Sequence, residues 1–228
     1  DFDKMSFGVG ASVYYGNVYV GNYIDALENV TQYKAYELVN KKYIADKSGE
    51  ELPQDLYAIE DVIENHGTEN VGVYVPVGYT HMNETRHSVF LWLKEHKVKI
   101  LSYIHPSATI ATNATIGEGC VILEHVIIQP FSKLGDGNIL WNGTNISHHS
   151  CIGNYNWFAA SVTLSGRVKV YDKCFFGSGS VCKNDIEIHN KVLVGAGAYV
   201  YKSLPDSSVF VPQRGIILEK TSDEVVLL

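Results

Sequence analysis

The sequence has no long apolar run, no excess of basic side chains, no paired cysteines and only two methionines in 228 residues. Without about 20 consecutive apolar residues, no segment reads as a membrane-spanning helix. A net charge of −7 argues against nucleic acid or an anionic membrane surface as the main partner. The four cysteines, Cys120, Cys151, Cys174 and Cys182, include no C-x-x-C pair. That argues against a zinc or redox motif, and for reduced, mostly packed thiols in a cytoplasmic protein. No basic-then-apolar leader opens the chain. What is present is an ordinary globular composition, 46% apolar and 19% charged. The acidity is uneven. Residues 1–103 hold 15 Asp/Glu against 9 Lys/Arg, net −6, while residues 104–228 hold 10 against 9, net −1. Two parts with different tasks are expected.

A search for repeats finds a period of six. From Ile104 the steps are Ile110, Ile116, Ile122, Ile128, Leu134, Leu140, Ile146, Ile152, Phe158, Leu164, Val170, Phe176, Cys182, Ile188, Val194 and Val200, and all 17 positions are apolar. Two positions earlier stand small or apolar residues such as Ala108, Cys120, Val126, Ser132, Val162 and Cys174, and Gly or Ala often follows. A lone strand repeats at two and a helix at 3.6. A strict six implies a short strand, a corner and another short strand, with the same side chains turned inward each time. Three sides close a triangular coil of 18 residues, which places Cys120 and Cys174, three coils apart, on one interior face.

This pattern resembles the hexapeptide repeat of the left-handed parallel β-helix acyltransferases. Left-handedness, a homotrimer and active sites between adjacent prisms are what the resemblance implies. The expected division is an α/β domain over residues 1–103, a β-helix over 104–205 and a tail over 206–228.

The first part predicts a strand at Met5–Val9, a turn at Gly10-Ala11-Ser12 and an amphipathic helix to about Asn29. Strands follow at Tyr33–Asn40, Val71–Val77 and Val98–Ile104, with helices near Ile59–Asn65 and Asn83–His96. That alternation predicts a small Rossmann-like parallel sheet with helices on its faces. Gly8-Val9-Gly10 raises a dinucleotide site, but Val13 occupies the position of the third glycine. The turn either admits a ligand or lets helix and strand pack closely.

An α/β domain opening on a Gly-Ala-Ser turn, then His105-Pro106-Ser107-Ala108 leading into the hexads, is similar to nucleotide-sugar acetyltransferases. The likeness is to the sialic-acid O-acetyltransferase and the bacillosamine and perosamine N-acetyltransferase type. It implies an acetyl-CoA-dependent transfer to a nucleotide-linked sugar in surface glycan biosynthesis. The N-terminal domain would hold the nucleotide sugar, with Gly8, Gly10, Ala11, Ser12 and Asn40 as its contacts. The β-helix would bind acetyl-CoA and carry the base.

His148 and His149 sit two and three positions after the inward Ile146, at a corner. They read either as solvated corner residues or, from the resemblance, as catalytic. His148 stands five residues before Gly153, the position of the general base in the resembled enzymes. Their neighbouring carboxylate is replaced here by His149, so Asn145 or a group from an adjacent subunit is the alternative support. The segment at Gly195, Ala196, Gly197 and Lys202 resembles a CoA site, with a second small-residue strip at Gly177 and Gly179. Trp157 either lines the sugar or CoA or packs between prisms. Arg214 either takes a phosphate or is solvated.

Three rival readings stand beside this one. A dehydrogenase would need the missing third glycine. A γ-carbonic-anhydrase-like zinc hydratase would draw on His105, His125, His148, His149 and His189, yet no His-x4-His pair exists. A non-catalytic trimer displaying a sugar-binding domain would have no CoA affinity. The expected metal content is none.

Overall fold

A computed structural model describes strands Gly16–Val20 and Ala35–Val39, residues 56–213, and positions 215, 217 and 219. The turn residues Gly8, Gly10, Ala11 and Ser12, and also Asn40 and Arg214, lie outside the described residues.

The N-terminal sheet contains β1 (Gly16–Val20), β2 (Ala35–Val39), β3 (Leu56–Ala58), β4 (Val71–Tyr74) and β5 (Lys99–Ile100), in the order β3-β2-β1-β4-β5. It is mixed, not all parallel. β1 runs antiparallel to both β2 and β4, while β2–β3 and β4–β5 are parallel. Gly16–Val20, inside the expected helix to Asn29, is a strand, and the rest of that stretch and the expected strand Met5–Val9 lie outside the described residues. Gly16 and Asn17 are poor helix formers, and Val18, Tyr19 and Val20 favour a pleated strand, so pairing on both edges outweighs the helical spacing. Two helices match their expected positions, α1 (Ile59–His66) and α2 (Glu84–Glu95). The core beneath them alternates along one strand direction: Val71, Val73, Val75 and Val77 are all buried, against Phe90 and Leu93 of α2.

From Tyr103 onward the chain is a parallel solenoid of two-residue strands, each paired to the strand 18 residues on. Seven strands form face 1, six form face 2 and five form face 3. The outward residues of face 1 are Tyr103, Val121, Ile139, Trp157, Phe175, Leu193 and Val209. Face 2 presents Thr109, Ile127, Asn145, Thr163, Val181 and Tyr199, and face 3 Thr115, Lys133, Cys151, Lys169 and Glu187. The six-residue positions point inward, and from Ile122 to Val200 all are buried. Ile104, at the open end of the first coil, is 45% exposed. Inside, identical layers stack: the rings of Phe158 and Phe176 lie 4.8 Å apart and nearly parallel.

From Gly119 to Gly197 each corner contains a left-handed residue at every sixth position, glycine at 119, 137, 143, 179 and 197 and a side-chain-bearing residue such as His125, His149, Arg167 or Asp185 at the others. The last coil is two residues shorter. Leu204 bridges to Ile188 and Val209–Phe210 pairs with Leu193–Val194, each at a spacing of 16. Buried Leu204 there fills the interior place.

Cys120, Cys174 and Cys182 are buried, and burial pushes their thiols up to about 11, 12 and 12. They are core side chains, held away from the thiolate state. Among the described residues, no helix is long and apolar enough to cross a membrane.

Candidate active site

His148 and His149 form the two-residue turn between faces 2 and 3. The backbone anchors both. The N–H of His148 donates to Gln129 Oε1 (3.2 Å), and its carbonyl accepts from the N–H of Arg167 (3.0 Å). The N–H of His149 donates to the Pro130 carbonyl (3.0 Å), with the left-handed φ of 60° that this corner needs.

The two rings differ in setting. His149 is exposed and lies on Phe131, ring centres 4.8 Å apart. His148 is half-buried and leans along the corner onto the next coil. A Cβ added at Gly166, 18 residues on, would meet His148 Cε1 at 2.6 Å and Nε2 at 2.8 Å. Gly166 thus makes the notch in which this ring lies. The Nδ1 atoms of the two histidines are 3.1 Å apart, so one donates and the other accepts. With the proton on His148 Nδ1 and His149 accepting, Nε2 of His148 keeps a free lone pair. That is the state a general base requires.

The other expected residues are spread over the prism. Asn145, on face 2, has its Oδ1 buried without a hydrogen-bond partner, so that oxygen orients neither histidine. Trp157 is buried on face 1 beneath Tyr79 (ring centres 5.1 Å) and beside Trp141 (5.8 Å). Its burial comes from packing within the chain rather than between prisms. Gly177, Gly179, Gly195, Ala196 and Gly197 line the corner between faces 1 and 2. Gly179 and Gly197 have positive φ and nothing within 4 Å of an added Cβ, so the strip is an open floor of backbone. Val211 and Pro212 of the tail close over Gly195, at 3.0 and 3.3 Å from its added Cβ. Lys202 lies on a bend three coils along the histidine corner, its Nζ over the Tyr201 ring (5.7 Å).

The chain therefore presents two separate groups: histidines and Lys202 at one corner, the glycine strip at another. Face 2, uncharged and with Ile127 and Tyr199 exposed, lies between them. Face 3 is the charged one, and exposed Cys151 stands there between Lys133 and Lys169.

The remaining histidines of the solenoid have other neighbours. His105 Nδ1 contacts the Ser107 hydroxyl (2.8 Å), and His189 stacks on Tyr171 (4.8 Å). Among the described residues, no group of three or more His, Cys, Asp or Glu could hold a metal ion.

Two features were missed by sequence reasoning. Fully buried Arg86 and Asn83 tie α2 to the solenoid backbone, and the Arg167–Asp185 ion pair stands on the histidine corner. The second was readable, since Arg167 and Asp185 follow His149 at steps of 18. The first has no such signal.

No family model matches the sequence. Among curated proteins, the bifunctional protein GlmU of Prochlorococcus marinus (strain NATL2A) is 30% identical over 148 residues, 58% of this chain and 33% of that one. An acyl-[acyl-carrier-protein]--UDP-N-acetylglucosamine O-acyltransferase of Nautilia profundicola is 25% identical over 105 residues, 43% of this chain and 40% of its own length. The chain thus spans 33% of the GlmU protein it matches. Among solved structures, PerB from Caulobacter crescentus, in complex with CoA and GDP-perosamine, has a TM-score of 0.65 at 25% identity, covering 74% of this chain and 79% of that one. The acetyltransferase domain of PglB from Neisseria gonorrhoeae has a TM-score of 0.64 at 24% identity, covering 70% and 78%. The likeness read from the hexads and the junction therefore extends to three dimensions.

Proposed function

We propose that this hexapeptide-repeat protein is an acetyltransferase that moves the acetyl group of acetyl-CoA to a nucleotide-linked sugar, in the cytoplasm, as a step of surface glycan assembly. The observation that carries this reading is the His148 ring, laid in the Gly166 notch with its Nδ1 against His149 and its Nε2 free to accept a proton. The solved complex of PerB with CoA and GDP-perosamine supports both co-substrates.

The reaction is a direct displacement. The amine or hydroxyl of the sugar attacks the thioester carbonyl as His148 Nε2 takes its proton. A bond from nitrogen or oxygen to the acetyl carbon forms, the carbon–sulfur bond breaks, and the proton passes to the departing CoA thiolate. The N–H groups of Gly177, Gly195 and Gly197 already donate to the carbonyls of Val194, Phe210 and Ser178, so on this strip the N–H of Ala196 supplies the donor for the oxyanion. His149 holds the reactive tautomer of His148, and Lys202 offers a cation to the phosphates of CoA.

The histidine corner and the glycine strip bracket the uncharged face 2. A trimer in which this face packs on a neighbouring prism buries Ile127 and Tyr199 and brings one copy's histidines to the next copy's strip. The N-terminal sheet then carries the nucleotide part of the substrate.

A thiol-release assay with acetyl-CoA tests this across UDP-, dTDP- and GDP-linked sugars, both amino and neutral. Release with at least one sugar, lost on His148→Ala, is expected. No release across the panel, together with no binding of acetyl-CoA by calorimetry, overturns it and favours a non-catalytic sugar-binding trimer.

A further inference from the structure

The two histidine rings are held from opposite sides. His148 leans toward the coil after it, where Gly166 leaves room for its ring. His149 leans toward the coil before it, where its ring lies on Phe131, with centres 4.8 Å apart and 31° between the planes. The histidine rings stand nearly perpendicular, at 85°, and meet through their Nδ1 atoms at 3.1 Å. That meeting lasts only while both rings keep their rotamers. Half-buried His148 is confined by its notch. His149 is exposed, and an exposed imidazole turns between rotamers unless a neighbour holds it.

Phe131 is that neighbour. It stands 18 residues before His149 in the corner column Asn113, Phe131, His149, Arg167, Asp185, whose other members are polar. Its backbone has the left-handed corner conformation (φ 62°), and its N–H donates to Asn113 Oδ1 (3.3 Å), which fixes the place from which its ring reaches His149. Paired strands lie about 4.7–4.9 Å apart, so rings at equivalent places in successive coils come within the roughly 4.5–7 Å over which aromatic pairs attract. On the other side of His149 the column offers a competitor, Arg167. Its guanidinium is directed away, with Nε and Nη2 both donating to the Asp185 carboxylate. The Phe131 ring is 55% exposed and lies outside the core ladder, so its contact with His149 is not a by-product of core packing.

We propose that Phe131 is a positioning residue of the histidine pair. Its ring sets the rotamer of His149, His149 then accepts from Nδ1–H of His148, and Nε2 of His148 is left to take the proton of the sugar. The chemical consequence rests on the acetyltransferase reading, in which His148 is the base, whereas the tautomer is measurable without it. Phe131 touches neither the proton nor the substrate in this role. It acts through His149 alone, so its effect vanishes when His149 is removed.

The test uses the full chain with its histidine ring nitrogens labelled with nitrogen-15, at a pH where both rings are neutral. The His148 and His149 signals are identified by their loss in His148→Ala and His149→Ala. Wild type should show His148 protonated on Nδ1. Phe131→Ala should move His148 toward the Nε2–H tautomer, and Phe131→Tyr, which keeps a ring on His149, should retain the wild-type pattern. In the thiol-release assay Phe131→Ala should lower kcat about tenfold, short of the ~10²–10⁴-fold expected for the base itself, with KM for both substrates unchanged. In a His149→Ala background the same substitution should change kcat by no more than about twofold, because the two residues act in series. Identical tautomers in wild type and Phe131→Ala overturn the proposal, and so does a wild type with His148 protonated on Nε2. A kcat loss that persists undiminished without His149 overturns it as well. A raised KM for the nucleotide sugar at unchanged kcat would make Phe131 a substrate contact instead of a positioning residue. A tautomer shift in a chain that transfers no acetyl group would uphold the positioning and overturn the acetyltransferase reading.

Discussion

Arg86 Nη2 donates a 2.8 Å hydrogen bond to the carbonyl of Tyr155, joining the first turn of α2 to a corner of the solenoid. The guanidinium is fully buried, and its remaining partners are also neutral oxygens: the carbonyls of Gly137, Val77, Gly78 and Asn156, and Asn83 Oδ1. Burial lowers its affinity for a proton well below that of a free arginine. Asn83, equally buried, donates from Nδ2 to the Cys174 carbonyl (3.0 Å), so the pair reads three successive coils. The same guanidinium holds the Val77–Gly78 backbone, which sets Tyr79 on Trp157 and Phe175. One side chain thus places the N-terminal part on face 1.

Arg86→Leu should lower unfolding stability by about 3 kcal/mol, because several buried carbonyls lose their donor at once. Denaturant titration followed by Trp fluorescence measures it. A loss below about 1 kcal/mol would mean that water or a rearranged loop takes over those bonds.

Glu84 makes α2 sensitive to acid. Its carboxylate pairs with Lys191 (2.7 Å) and Lys173 (2.9 Å), which hold it down from the usual 4.5 to about 2. A depressed carboxyl contributes stability that is present above its unfolded value and lost as pH falls through the folded one. The contribution should therefore fade between about pH 4.5 and 2. The Tm difference between wild type and Glu84→Gln should shrink over that window, and a constant difference would rule out the linkage.

His148→Ala should reduce kcat by about 10²–10⁴-fold, the usual contribution of a positioned general base. His149→Ala should cost less, since water can accept from the His148 Nδ1–H of the reactive tautomer in place of His149. His149→Asp should retain or raise activity, because a carboxylate orients an imidazolium better than a second imidazole. Steady-state kinetics of the three variants decides the order, and equal losses for both alanine variants would assign the pair a joint role.

Gly166→Ala should leave the fold intact and the activity low. The new methyl would meet the end of the His148 ring rather than backbone, so the ring swings outward at little structural cost. A loss in kcat of about 10-fold or more is expected for a displaced base, with Tm nearly unchanged. Full activity would show that the notch is not the working position of the ring.

Ile127→Glu should turn a trimer into a monomer. Ile127 is 41% exposed on the uncharged face 2, and a buried carboxylate there would lack a partner. Light scattering at micromolar concentration compares the two, and a monomeric wild type would remove the intersubunit site.

The period of six was legible because each inward side chain depends only on its place in its own hexad. A single phase therefore located the core ladder from Ile122 to Val200, the corner place of the two histidines, and the buried Cys120 and Cys174. Steps of 18 also connect His148 to Gly166 and His149 to Arg167 and Asp185, since stacking in a solenoid is sequence arithmetic. The N-terminal part has no such arithmetic. Helix and strand spacings overlap in Gly16–Val20, and pairing with two neighbours decided for a strand and for a mixed sheet. Trp157 depended on what covered it: only folding brought Tyr79 from 78 residues away to lie on its ring. The same holds for Arg86, whose carbonyl partners at Gly137 and Tyr155 are 51 and 69 residues away. Repeats write their neighbours into the sequence at fixed intervals, whereas a docked domain meets its partner through contacts that no local pattern encodes.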